Sequence, residues 1–250
     1  MSTDYVDQIT KSTLGLVELA RTTPKEVEVP TCPGWSLWDL LDHVAKVQKR
    51  AALRIGRSKD VEAQKDSPPG NLDDVISRST LALEELTTGF LSADDGAECW
   101  NWTGSNQTVG WMKRRQAQEV TIHHFDALLA SNPEEDVRVL IEKAQITPEL
   151  AKDGIEEYFE VFAGRLLAKG AVPKYSLHLH GSDQEGAEWV ITDDKGSLAV
   201  LRGHQKSDVA LRGDTSLLLL WTWGRVKRDE LEVLGSAEAI ASWETFLRVI

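Results

Sequence analysis

The sequence predicts an α+β protein: a four-helix bundle over residues 1–146, followed by a small α+β domain over 147–250. Long stretches of helical hydrophobic periodicity, poor in proline, fill the first half. After Gly170-Ala171-Val172-Pro173 the pattern changes to short alternating and β-branched runs. Apolar helical patterns near residues 217–223 and 237–250 then close the chain, which makes the second half mixed rather than all-β.

Helices are expected at roughly 4–22, 36–56, 71–92 and 110–130, with long loops at 57–70 and 93–109. Four such helices make a bundle. In the second, positions 37, 40, 41, 44 and 47 are apolar at helical spacing. Ser36 is a suitable N-cap, with Asp39 three residues on in place of the usual capping-box Glu or Gln. The fourth, from Gly110 to Ala130, holds no proline and no glycine after its first residue.

Both loops are long for a compact domain, and such loops are often functional. Residues 57–70 are charged and end in Ser67-Pro68-Pro69-Gly70, whereas 93–109 carry Trp100, Trp102 and Asn106. Two readings of these tryptophans stand side by side: they shape the mouth of a pocket and pack on a ligand, or they anchor the loop. Asn101-Trp102-Thr103 and Asn106-Gln107-Thr108 match the glycosylation pattern but read as turn residues.

Beyond a helix near 147–169, strands are expected at 175–180, 188–192, 197–201 and 209–212. Leu217 to Trp223 reads as a buried helix. Residues 237–250 read as a terminal helix packing Ile240, Trp243, Phe246 and Leu247.

With 28 basic against 40 acidic side chains the formal charge is -12, which disfavours nucleic acid as a partner. No apolar run approaches membrane-span length and the N-terminus lacks signal-peptide character, so a cytoplasmic location is expected. Cys32 and Cys99 are too few and too far apart for a zinc finger and are expected as free thiols. Cys32 falls near the start of the helix that bears His43.

Glu119 and His123, four apart on the fourth helix, lie about 40° apart around its axis and roughly 6 Å apart along it, so their heads can converge on one cation. Such a pair usually marks a solvated face, but Trp111, Arg115, Ile122 and Leu129 leave no clean polar stripe for it to join. Asp126, three residues after His123 on the same face, is placed either to add a fourth ligand or, the favoured reading, to hold the second ring nitrogen of a ligand histidine. His124, about 100° away, reads as a boundary residue. His43 neighbours Leu40, Val44 and Val47 on an apolar face, and a buried histidine needs partners that a metal can supply. A rival cluster is available in His178 and His180, on one side of a strand, with His204 as a third nitrogen.

Pro33-Gly34-Trp35, followed by a capped helix with Asp39 and His43, resembles the N-terminal signature of the mycothiol-dependent maleylpyruvate isomerase family, within the DinB-like metal-binding four-helix bundles. The resemblance continues in Arg115 to Asp126, with its Glu119-x-x-x-His123 spacing and following Asp126. It reappears in Gly213 to Arg225, a leucine-rich helix ending in Gly224-Arg225. The resemblance implies His43, Glu119 and His123 as ligands of Zn²⁺, Arg225 as a catalytic arginine, mycothiol as cosubstrate, and a sterol-carrier-like second domain.

The implied partners are a small-molecule substrate and a low-molecular-weight thiol, and the implied reaction is isomerisation of maleylpyruvate to fumarylpyruvate. The same metal and thiol would also suit a mycothiol S-transferase acting on electrophiles. A non-catalytic metal- or thiol-binding module is the reading from another class. Imidazole and carboxylate donors suit several divalent ions, Fe²⁺ and Ni²⁺ included.

Overall fold

The computed structural model describes residues 4–61 and 68–248, so residues 62–67 of the expected 57–70 loop and the last two of the expected terminal helix lie outside the described residues. Met1–Gln145 and Ile146–Ile250 form two compact units. Among the described residues no helix is long and apolar enough to cross a membrane.

In the first unit, α1 (Tyr5–Thr22), α2 (Leu37–Arg54), α3 (Leu72–Ser92) and α4 (Val109–Ser131) form the bundle, and a short α5 (Val137–Lys143) follows. Each begins at a side-chain cap that satisfies an otherwise unpaired N–H: Asp4, Ser36, Asn71, Thr108 and Asp136. At Ser36 the capping box is complete, because Asp39 returns a bond to the Ser36 N–H. Helix α1 packs on α4 and α2 on α3, around Ile9, Leu16, Leu40, Leu41, Leu86, Phe90 and Phe125.

Helix α4 is buried on almost every side, including Gln116, Gln118, Thr121, His124 and Asp126. Its missing polar stripe therefore has a structural cause, since the helix has no solvated face. Gln8 Nε2 donates to Thr121 Oγ1 at 3.0 Å and Gln48 Nε2 to Thr13 Oγ1 at 2.7 Å, which keeps these interior groups paired. His124 is not the boundary residue its angular position suggests. It is buried, and its ring fills the space over Gly15, where an added Cβ would lie 2.3 Å from Nε2.

The tryptophan-bearing loop is anchored by its own side chains. The Arg54 guanidinium lies 4.5 Å over the Trp100 ring, and Trp102 meets Trp111 edge-on at 5.8 Å. Asn101 holds the turn, its Nδ2 donating to the Ser105 carbonyl at 3.0 Å while its Oδ1 accepts from the Thr103 N–H at 3.0 Å.

In the second unit, α6 (Pro148–Lys169) precedes β1 (Leu177–Gly181), β2 (Glu188–Asp194), β3 (Ser197–Arg202) and β4 (Val209–Gly213). Then come α7 (Thr215–Thr222), a 3₁₀ turn at Arg228–Glu230, β5 (Glu232–Gly235) and α8 (Ala237–Leu247). The sheet order is β3-β2-β1-β4-β5, with β1 and β4 parallel and every other pair antiparallel. Strand alternation buries Leu177, Leu179, Trp189, Ile191, Val209 and Leu211 on one face. Arg202, on that same face, pairs with Glu156 of α6. His178, His180, Glu188 and Val190 belong to the opposite face.

Leu217 to Leu220 of α7 are essentially fully buried, each contributing roughly 1.5–3 kcal/mol relative to exposure. The helix stops in a Schellman arrangement: the Gly224 N–H donates to Trp221 O at 2.8 Å and the Arg225 N–H to Leu220 O at 2.7 Å. Gly224 has φ 70°, which favours glycine, so the Gly-Arg pair after the leucine run has a local structural reason.

Candidate metal centre

The centre starts from the turn before α2. Glu28 pairs with Ser36, the Val29 N–H donates to Trp35 O at 2.8 Å, and the Cys32 N–H to Val29 O at 2.9 Å. Gly34 closes the turn at φ 80°. This folding aims Thr31, Cys32 and Trp35 at α2 and α4. Thr31 Oγ1 donates to Asp126 Oδ1 at 2.7 Å, Cys32 Sγ lies 3.9 Å from Asp126 Oδ2, and the Trp35 ring lies 5.0 Å from that of His43.

Asp126 in turn faces His123, its Oδ2 lying 3.0 Å from His123 Nδ1. A proton held on Nδ1 by that carboxylate leaves Nε2 as the donor atom toward the site. His123 Nε2 lies 3.5 Å from Glu119 Oε1, and His43 Nε2, coming from α2, lies 3.4 Å from the same oxygen. The second Glu119 oxygen is paired with Arg115, one turn earlier on α4. One donor atom from each of His43, Glu119 and His123 therefore falls within 4.8 Å of the others.

A tetrahedral ion bound at about 2.1 Å separates its ligand atoms by roughly 3.4 Å, so the two nitrogen–oxygen separations suit zinc. The His43 side chain is 35% exposed against 9% for His123. The histidine expected in the core thus turns toward the other ligands yet leaves one side of the centre open.

Burial works against charge here, and the neighbours overcome it. It pushes the Glu119 carboxyl up, but Arg115, His123 and His43 hold it well below the usual carboxylate range. Burial pushes the His123 imidazole down, yet Asp126, Cys32 and Glu119 hold it well above its ordinary value. Without a cation this pair is charged and hydrogen-bonded; a cation binding there competes with a proton.

Arg225 follows the C-terminus of α7 within the second unit. It is buried, with Nη1 donating to the Trp223 carbonyl at 2.8 Å and the guanidinium 5.6 Å from the Trp223 ring. Sequence reasoning did not assign a role to Arg115 or to Thr31. The available signal was the i,i+4 spacing of Arg115 to Glu119 on a helix with no solvated stripe. The structure also gathers His178, His180 and His204, and adds Glu188, which the sequence reading left out.

Residues 6–128 match the mycothiol maleylpyruvate isomerase N-terminal domain and residues 149–242 the MDMPI C-terminal domain. No curated protein sequence matched the chain. The fold is shared with a crystal structure described as that of the mycothiol-dependent maleylpyruvate isomerase, at TM-score 0.61 and 12% identity over 96% of this chain and 97% of that one. A histidine-to-alanine mutant of that enzyme gives TM-score 0.60 at 13% identity, with the same coverage of both chains.

Proposed function

The chain belongs to the mycothiol-dependent maleylpyruvate isomerase family, and we propose that it is a zinc-dependent isomerase converting maleylpyruvate to fumarylpyruvate with mycothiol as cosubstrate. The observation carrying this reading is that one ligand atom each of His43, Glu119 and His123 lies within 4.8 Å of the others, with the His43 side chain 35% exposed. Three protein donors with a vacant fourth direction make a catalytic rather than structural arrangement.

Bound there, zinc would favour the thiolate over the thiol, which otherwise ionises near pKa 8.5. The chain's own residues prepare that chemistry. Arg115 pairs with one Glu119 oxygen and leaves Oε1 toward His43 and His123, where it would hold the ion, and Asp126, steadied by Thr31, fixes the ring and tautomer of His123. The capping box sets the start of α2, the helix that carries His43.

Maleylpyruvate accepts the thiolate at its cis double bond: a carbon–sulfur bond forms and the displaced electron pair moves into an enolate. Rotation about the new single bond and collapse of the enolate then break the carbon–sulfur bond and return the thiolate, leaving the trans product without net redox change. Arg225 is proposed to bind a substrate carboxylate through two parallel N–H donors and to stabilise the enolate charge.

Turnover of maleylpyruvate by the zinc-loaded protein, with and without mycothiol, tests the reading. Thiol-dependent formation of fumarylpyruvate, greatly slowed in Arg225→Lys at unchanged zinc content, is expected. A folded, zinc-loaded protein that leaves maleylpyruvate untouched but joins mycothiol to electrophiles would replace the isomerase with an S-transferase.

A further inference from the structure

We propose that His178, His180, Glu188 and His204 form a second divalent-metal site, on the sheet of the second unit and separate from the helical centre. Four donor side chains from three consecutive segments meet there. Strand β1 puts His178 and His180 on one side, two residues apart. The antiparallel register sets Glu188 of β2 opposite His180. The Gly203 N–H donates to Glu188 O at 3.1 Å, which brings the residue after it, His204, over the same face.

One donor atom from each of the four lies within 4.8 Å of the others. His204 Nδ1 lies 2.9 Å, His178 Nε2 3.1 Å and His180 Nδ1 3.5 Å from the same atom, Glu188 Oε2. The three rings stand nearly perpendicular to one another, with centroids 5.6, 5.0 and 5.9 Å apart, which lets one nitrogen of each approach the same carboxylate oxygen without the rings overlapping.

A carboxylate oxygen offers about two lone-pair directions, too few for three ring N–H donors at once. A cation resolves the crowding, because neutral imidazoles then present lone pairs to it and Glu188 supplies the balancing charge. Three imidazole nitrogens and one carboxylate oxygen suit Zn²⁺ or a neighbouring divalent transition metal rather than Mg²⁺ or Ca²⁺. All four tetrahedral positions are filled by protein, which describes a closed, structural site. Its effect is to tie β1 and β2 to the segment after β3, where the His204 side chain is otherwise 73% exposed.

The test uses untagged, full-length protein stripped by chelator and titrated with Co²⁺, with bound metal counted by elemental analysis. Wild type is expected to take up two ions per chain. A variant carrying both His43→Ala and His123→Ala should keep one, with the absorption of a tetrahedral nitrogen-oxygen site. Adding His204→Ala, where the side chain is 73% exposed, should weaken that remaining ion by at least the roughly 10- to 100-fold that loss of an outer-shell partner costs. Glu188→Gln should do the same. Stoichiometric uptake that ignores both substitutions, or no uptake once the helical centre is removed, overturns the proposal. Because the helical centre is absent from the decisive variants, failure here leaves the isomerase reading untouched.

Discussion

The helical centre and the sheet cluster use the same side chains to opposite ends. In the helical centre three donors come from two helices, and two of them are held from behind: Glu119 by Arg115, and His123 by Asp126 and through it Thr31. His43, the most exposed of the three, leaves a side open. In the sheet cluster four donors surround one another, and the outermost, His204, sits on an exposed segment. Buried supports with a vacant position suit chemistry on a visiting ligand, whereas a complete donor set with light support suits holding a fold together.

The largest expected effect separates the two directly. His123→Ala should remove the ion of the helical centre and reduce turnover to background while the sheet cluster still binds metal; joint loss of both ions would show that they are not independent. Asp126→Asn keeps every ligand but weakens the hold on His123, and should cost roughly 10- to 100-fold in metal affinity or activity. No effect on either would place the support elsewhere.

The helical frame should also be acid-sensitive apart from its ion. Burial depresses the His124 imidazole to about 4 from an ordinary 6.5, and its Nδ1 is buried with no hydrogen-bond partner among the described residues. A histidine whose folded value is depressed contributes stability that is present above its unfolded value and lost as pH falls toward the folded one. In a His43→Ala background, free of the ion, up to about 3 kcal/mol should disappear between pH ~6.5 and ~4. Chemical denaturation of that protein with and without His124→Leu checks this, and an unchanged pH slope would contradict it.

Gly15→Ala, which forces a methyl into the same ring, should destabilise by about 1–3 kcal/mol, read as a lower denaturation midpoint at constant slope. Ser36→Ala, the smallest of these, removes half of the capping box and should cost about 1 kcal/mol. A loss of zinc affinity beyond that cost would mean that the cap also sets the position of His43.

What the sequence revealed follows from which contacts are local. Glu119 and His123 are neighbours by helix geometry alone, and Asp126 follows by the same rule, so their grouping was legible before any fold was known. His43 was legible as an inward residue, though its exposure depends on how α2 leans on α4. Glu188 was not legible, because its place opposite His180 depends on the register of β1 on β2 across an intervening loop. Nor was the burial of His124, which sits 100° from its neighbour on a helix that has no solvated side. Helix α5, seven residues long, and β5, four residues of an edge strand, are too short to show a period.

The pairing of Arg115 with Glu119 also shapes the electric field around His43 and His123. A protein of formal charge -12 should repel anionic ligands at long range. The only carboxylate among the three ligands already has its charge matched by a buried guanidinium. A divalent ion held at these side chains would be offset in part by the buried Asp126 carboxylate beside His123, and the positive charge left over would attract anions locally, an attraction that weakens as salt is added.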